Sequence, residues 1–126
     1  MDWGKFKNFS EGEFSCRHCG KNEMKPEFME KLQHLRTVYN KPMTISSGYR
    51  CAQHPIEAAK TEPGAHTTGM AADIAVHGAE AHRLLQLALE LGFTGVGIQQ
   101  KGSGRFIHLD TIPASTAFPR PTVWSY

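Results

Sequence analysis

Between residues 52 and 70 the chain abandons every periodic pattern. The run is rich in Gly, Pro, Thr and His, and neither a helical 3.6-residue repeat nor a strand's alternation can be traced through it. A loop of that length in a small chain usually carries function, so the flanks must supply the fold. Before it, Pro26 sits where a first helical turn accepts proline. Phe28, Leu32, Leu35 and Tyr39 then recur at helical spacing, which predicts an amphipathic helix over 26–40, ended by Asn40 and Pro42. Ser10-Glu11-Gly12-Glu13 carries a helix-start pattern with room for only a short turn before Cys16. Met43 to Ser47 predicts a strand leading into Ser46-Ser47-Gly48-Tyr49-Arg50. After the run, Met70 to Val76 predicts a buried strand. Ala79 to Leu91 predicts a second helix, with Leu84, Leu85, Ala88 and Leu91 facing inward and Gly92 stopping it. Thr94, Val96 and Ile98 alternate with glycines, and a hairpin loop over 100–104 joins that strand to Phe106–Asp110. Two main helices with three or four mostly antiparallel strands make an α+β fold, expected as a single domain over 1–126.

The bulk numbers agree with a globular chain and exclude some partners. With 126 residues there is enough for about one core, and 40% hydrophobic against 21% charged residues is a soluble balance. A net charge of +2 is too mild to argue for nucleic acid, though it does not oppose an anionic surface. No apolar run approaches the roughly 20 residues that span a bilayer, so no membrane partner is expected. Met1-Asp2-Trp3-Gly4-Lys5 lacks the apolar stretch of a secretory signal, and synthesis in the cytoplasm is expected. A monomer is expected as well.

The chemistry concentrates in two segments. In His66-Thr67-Thr68-Gly69-Met70-Ala71-Ala72-Asp73, the histidine and aspartate stand about 10 Å apart if the segment is one helix. On one straight strand they stand more than ~20 Å apart, on opposite faces. For the two to meet, the chain must turn between them, and Gly69 supplies that freedom. In Phe106-Ile107-His108-Leu109-Asp110, alternation places His108 and Asp110 on one strand face and Ile107 and Leu109 on the other. Two imidazoles, one carboxylate and an open fourth position make a zinc site of the catalytic type.

The run Ser-Gly-Tyr-Arg, then His-x-x-Gly-x-Ala-x-Asp-Ile, then Ile-His-Leu-Asp resembles the zinc D-alanyl-D-alanine carboxypeptidases and related phage endolysin peptidases. The likeness extends from about Phe9 to the carboxyl terminus. It implies the fold these peptidases share with the hedgehog signalling domain, a zinc ion on His66, Asp73 and His108, and Arg50 as the group that binds a substrate carboxylate. A planar guanidinium suits that task. It further implies cleavage of peptidoglycan stem peptides, with the chain a phage lysis or virion protein acting on the cell wall. One departure stands out: many relatives carry an acid three residues before the last histidine, where this chain has Arg105, which cannot accept a proton. Asp110 is then expected either as the general base or as the carboxylate that orients a ligand histidine. Failing it, Glu57 and Glu62 are the acids of the long loop. The rival readings are a binding module that keeps zinc without catalysis, and a structural zinc protein of a phage tail.

Cys16-x-x-Cys19 and Cys51-x-x-His54 are half-sites of zinc-finger spacing and predict a second, structural zinc ion, with His18 a substitute ligand. The competing expectation is buried thiols or a Cys16–Cys19 disulfide. His34 and His82 are expected to face solvent, and His77 to be a loop residue after the Asp73 strand. Trp124 and Tyr126 are expected to seal the domain by packing, with an aromatic wall for substrate as the alternative.

Overall fold

The computed structural model describes residues 1–60 and 64–126, so Glu62 lies outside the described residues. The α+β expectation holds: helices α1 (Glu11–Phe14), α2 (Pro26–Tyr39), α3 (Pro55–Ala58) and α4 (Gly78–Glu90) accompany one five-stranded sheet. Its strands are β1 (Thr44–Ser47), β2 (Ala71–Ala75), β3 (Gly95–Gln99), β4 (Phe106–Asp110) and β5 (Thr122–Ser125), in the spatial order β1-β2-β4-β3-β5. All neighbours are antiparallel except β3 and β5.

The helices start and stop where the local chemistry says they should. Glu13 accepts a hydrogen bond from the Ser10 backbone N–H at 2.8 Å, capping α1. Pro26 opens α2, and Asn40 closes it in the left-handed conformation at φ 56°. Phe28, Leu32 and Leu35 of α2 and Leu84 and Ala88 of α4 are buried in one core with Ala72, Ile74, Val96, Ile107 and Leu109 of the sheet. Strand alternation therefore commits one sheet face to the helices and leaves Asp73, His108 and Asp110 on the other. Among the described residues no helix is long and apolar enough to cross a membrane.

Two expectations need correction. The run from 52 to 70 is not structureless: it holds α3 and a 3₁₀ turn over Ala65–Thr68. Both are a single turn long, too short to show a period. The sheet also has a fifth strand. β5 is four residues beside Pro121 on the sheet edge, with Val123 64% exposed, so it carries no buried alternation to read.

Register builds a row across the open face: Ser47 opposes Asp73, Asp73 opposes His108, His108 opposes Gly97, and Gly97 opposes Trp124. One pair along, Gly95 opposes Asp110. The two glycines are spaces for their neighbours. A Cβ on Gly97 would stand 2.6 Å from the Trp124 indole nitrogen, and one on Gly95 would stand 2.2 Å from both Asp110 carboxylate oxygens. Gly95→Ala should therefore lose roughly 1–3 kcal/mol by overpacking. Urea unfolding of the two proteins measures it, and equal midpoints would show that Asp110 has room to move.

Candidate metal centre

The turn required between His66 and Asp73 is present. His66 sits in the 3₁₀ turn, Gly69 follows at φ 75°, and the chain enters β2 two residues later. A side chain at 69 is excluded twice, by that φ and by the Glu23 carbonyl oxygen, which a Cβ would approach to 2.0 Å. The result is convergence: His66 Nε2 lies 3.2 Å and His108 Nδ1 lies 3.1 Å from Asp73 Oδ1. One donor atom from each of the three residues falls within 4.8 Å of the others, and all three residues are buried.

The outer nitrogens decide which lone pairs face inward. His66 Nδ1 lies 2.8 Å from the Gly48 carbonyl oxygen. A carbonyl only accepts, so Nδ1 carries the proton and Nε2 of the neutral ring is free to ligate. His108 Nε2 lies 2.7 Å from Asp110 Oδ2, and the same reasoning leaves its Nδ1 free. Two imidazole nitrogens and a carboxylate with an open side are a donor set that fits zinc of the catalytic type. Burial disfavours a charged Asp73, but whenever the inner nitrogens of His108 and His66 are protonated instead of ligating, their bonds and charge hold the carboxyl far below the usual range. Burial likewise opposes charge on His108, yet Asp110 and Asp73 raise its pKa.

Asp110 is the most enclosed acid of the site. It is 0% exposed, and its oxygens accept from His108, from Arg120 Nε at 2.9 Å and Nη2 at 2.8 Å, and from the Ile112 N–H at 3.3 Å. Burial would raise its pKa, but His108 and Arg120 bring it below the ordinary value. A general base needs a lone pair aimed at the reacting water. This carboxylate stands behind the ring of His108 with its oxygens engaged. Arg105 does not fill the place of a lost base either: it lines a groove with Gly78, Ala81 and His82, against α4.

A cleft of about 640 Å³ opens over the three residues. Its lining includes the cations Arg50, Lys60 and Arg120 and the rings of Phe106, Phe118, Trp124 and Tyr126. Arg50 Nη1 is 3.3 Å from Glu57 Oε2 and its Nη2 is 3.8 Å from Asp73 Oδ2. Glu57 is buried and also receives Lys60 at 3.1 Å and the Gly64 N–H at 2.9 Å. Burial would raise its pKa, but these donors hold it below normal. The Trp124 ring is tilted against His108 with centroids 4.9 Å apart, and Tyr126 is 54% exposed. These two aromatics thus form a wall of the cleft rather than a seal on the core.

The model of the Peptidase M15 family matches residues 7–110. The chain belongs to the Peptidase M15 family. The zinc D-Ala-D-Ala carboxypeptidase-like enzymes of the M15 family are zinc-dependent peptidases, and the α+β fold with its five-stranded sheet agrees with theirs. No curated protein matches the chain. The M15 match includes Arg50, His66, Asp73 and His108 and ends at Asp110. Arg120 and β5 lie beyond it.

Sequence reasoning did not find Arg120. It is separated from Asp110 by a Pro- and Ser-containing segment with no period, and only the fold returns it. Phe106 could have been found, since it shares a strand face with His108 and Asp110. His34 and His82 are exposed, as expected, and so is His77. Of the second zinc set, the sulfurs of Cys16, Cys19 and Cys51 lie within 4.8 Å of one another, but His54 is not among them. Its Nδ1 instead accepts the Ile56 N–H at 3.2 Å, capping α3. Burial would raise the Cys16 pKa, but backbone N–H groups of Cys51, Cys19 and His18 bring it to about 6. Burial and the neighbouring Cys19 and Cys16 thiols push Cys51 up.

The Arg120–Asp110 pair is almost fully buried, at 6% and 0% side-chain exposure. Arg120→Met should strand the carboxylate and lose about 3–5 kcal/mol of stability. Thermal unfolding of the metal-free proteins checks this, and an unchanged midpoint would mean that water replaces the guanidinium.

Proposed function

We propose that the chain is a zinc peptidase that hydrolyses amide bonds in the stem peptides or cross-links of bacterial peptidoglycan. The observation that carries this reading is the convergence of His66 Nε2, Asp73 and His108 Nδ1, each ring held with its lone pair inward, at the floor of an open cleft. Bound there, zinc would lower the pKa of a water and polarise the scissile carbonyl.

The protein's own groups supply position and recognition. Gly48 and Asp110 fix the two histidine tautomers, and Arg120 holds Asp110. Arg50 presents a guanidinium at the cleft, with Glu57 setting its orientation, and anchors a substrate carboxylate. Trp124 and Tyr126 offer apolar faces to the rest of the peptide. The cell wall as the place of action, in phage lysis or from a virion, belongs to the same proposal.

A second reading, a zinc-holding module that binds peptidoglycan without cutting it, is favoured by one observation: both Asp110 and Glu57 are fully engaged by cations and N–H groups. Incubation with purified peptidoglycan separates the two. Release of new amino groups that stops with chelator and returns with zinc supports the peptidase. Binding without release at any zinc level supports the module.

Two variants test the roles. Asp110→Asn should weaken zinc binding about 10–100-fold with activity largely restored by added zinc. Full zinc occupancy with a roughly 100-fold loss of turnover would instead make Asp110 the base. Arg50→Lys should lower kcat/KM on peptides ending in a free carboxylate and hardly change their amidated analogues. Equal losses on both would assign Arg50 to the Glu57 ion pair alone.

A further inference from the structure

The second donor cluster has dimensions that discriminate between its states. Cys16 Sγ and Cys51 Sγ are 3.7 Å apart. A disulfide would place them at about 2.05 Å. Tetrahedral zinc with Zn–S bonds near 2.3 Å sets neighbouring sulfurs about 3.8 Å apart.

The backbone is arranged to keep them there. The Cys16 N–H donates to the Lys21 carbonyl at 2.7 Å and the Gly20 N–H to the Cys16 carbonyl at 2.8 Å. Gly20 turns at φ 77°, so the tight loop returns Cys19 beside Cys16. The Cys51 N–H donates to Cys16 Sγ at 3.4 Å, a bond that an electron-rich sulfur accepts well. Cys16 and Cys51 are buried while Cys19 is exposed, leaving the cluster reachable from solvent on one side.

We propose that Cys16, Cys19 and Cys51 together hold one thiophilic divalent ion of the zinc class. His54 is not needed, since its Nδ1 already caps α3. The fourth position takes a solvent molecule, since neither His18 nor His54 joins the three sulfurs. The ion joins the segment after α1 to the residue that follows Arg50. The rim of the cleft at Arg50 is thereby braced against the amino-terminal segment, where the Tyr49 N–H already donates to the Phe14 carbonyl at 2.9 Å. This site does not depend on the peptidase reading.

The test uses the full chain purified under reducing conditions and titrated with Co²⁺. The His66, Asp73 and His108 set contains no sulfur, so a thiolate-to-cobalt charge-transfer band reports the cysteine cluster alone. The expected result is a band that saturates at one ion, disappears in Cys19→Ser, and persists in His66→Ala. Cys19 is exposed, so its replacement leaves the core intact. Zinc analysis should fall from two ions per chain to one in Cys19→Ser, with a lower thermal midpoint. Absence of the band in the reduced wild-type chain would overturn the proposal. So would a mass lower by two hydrogens with blocked alkylation in protein purified without reductant, since that marks a disulfide as the resting state.

Discussion

A buried ion pair behind one histidine is the interaction on which the site depends. Asp110 is wholly enclosed, and an enclosed carboxylate is tolerable only where its lone pairs are met. Arg120 meets them with two parallel bonds, the Ile112 N–H adds a third, and the remaining capacity goes to His108 Nε2. That last bond points His108 Nδ1 at Asp73 and His66. The demand for space is passed on to β3, where Gly95 must lack a side chain. It is passed also to β5, which follows directly on the guanidinium. The carboxyl-terminal segment is thus tied to the centre even though the M15 match ends at Asp110.

The cleft above is lined by both cations and aromatic rings. Arg50 and Lys60 gather around the buried Glu57. A guanidinium already facing a carboxylate is held in place before any ligand arrives, which lowers the ordering cost of recognition. Gly97 has a matching role, because its missing side chain lets Trp124 reach across β3 to His108.

Much of this was legible in one dimension. The helical period marked α2 and α4 within a residue of their ends, and alternation placed His108 and Asp110 on one face of β4 with its bounds unchanged. The turn at Gly69 followed from the reach of seven residues. By contrast α3, the 3₁₀ turn and β5 are each four residues long, shorter than the window in which any period can declare itself.

The sequence by itself determined which residues could meet, because covalent spacing and strand parity are local and bind every conformation of the chain. It thereby related His66 to Asp73, His108 to Asp110 and Cys16 to Cys19, while the joining of His66, Asp73 and His108 was implied by the family resemblance. What each acid touches was decided only by the tertiary structure. Whether Asp110 is a base or an orienting group depends on who else reaches its oxygens, and Arg120 arrives from the irregular segment just before β5, ten residues on in sequence. The same holds for His54, which its spacing placed among the cysteines. The start of α3 claims its Nδ1 instead, because an uncapped helix N–H finds the nearest acceptor.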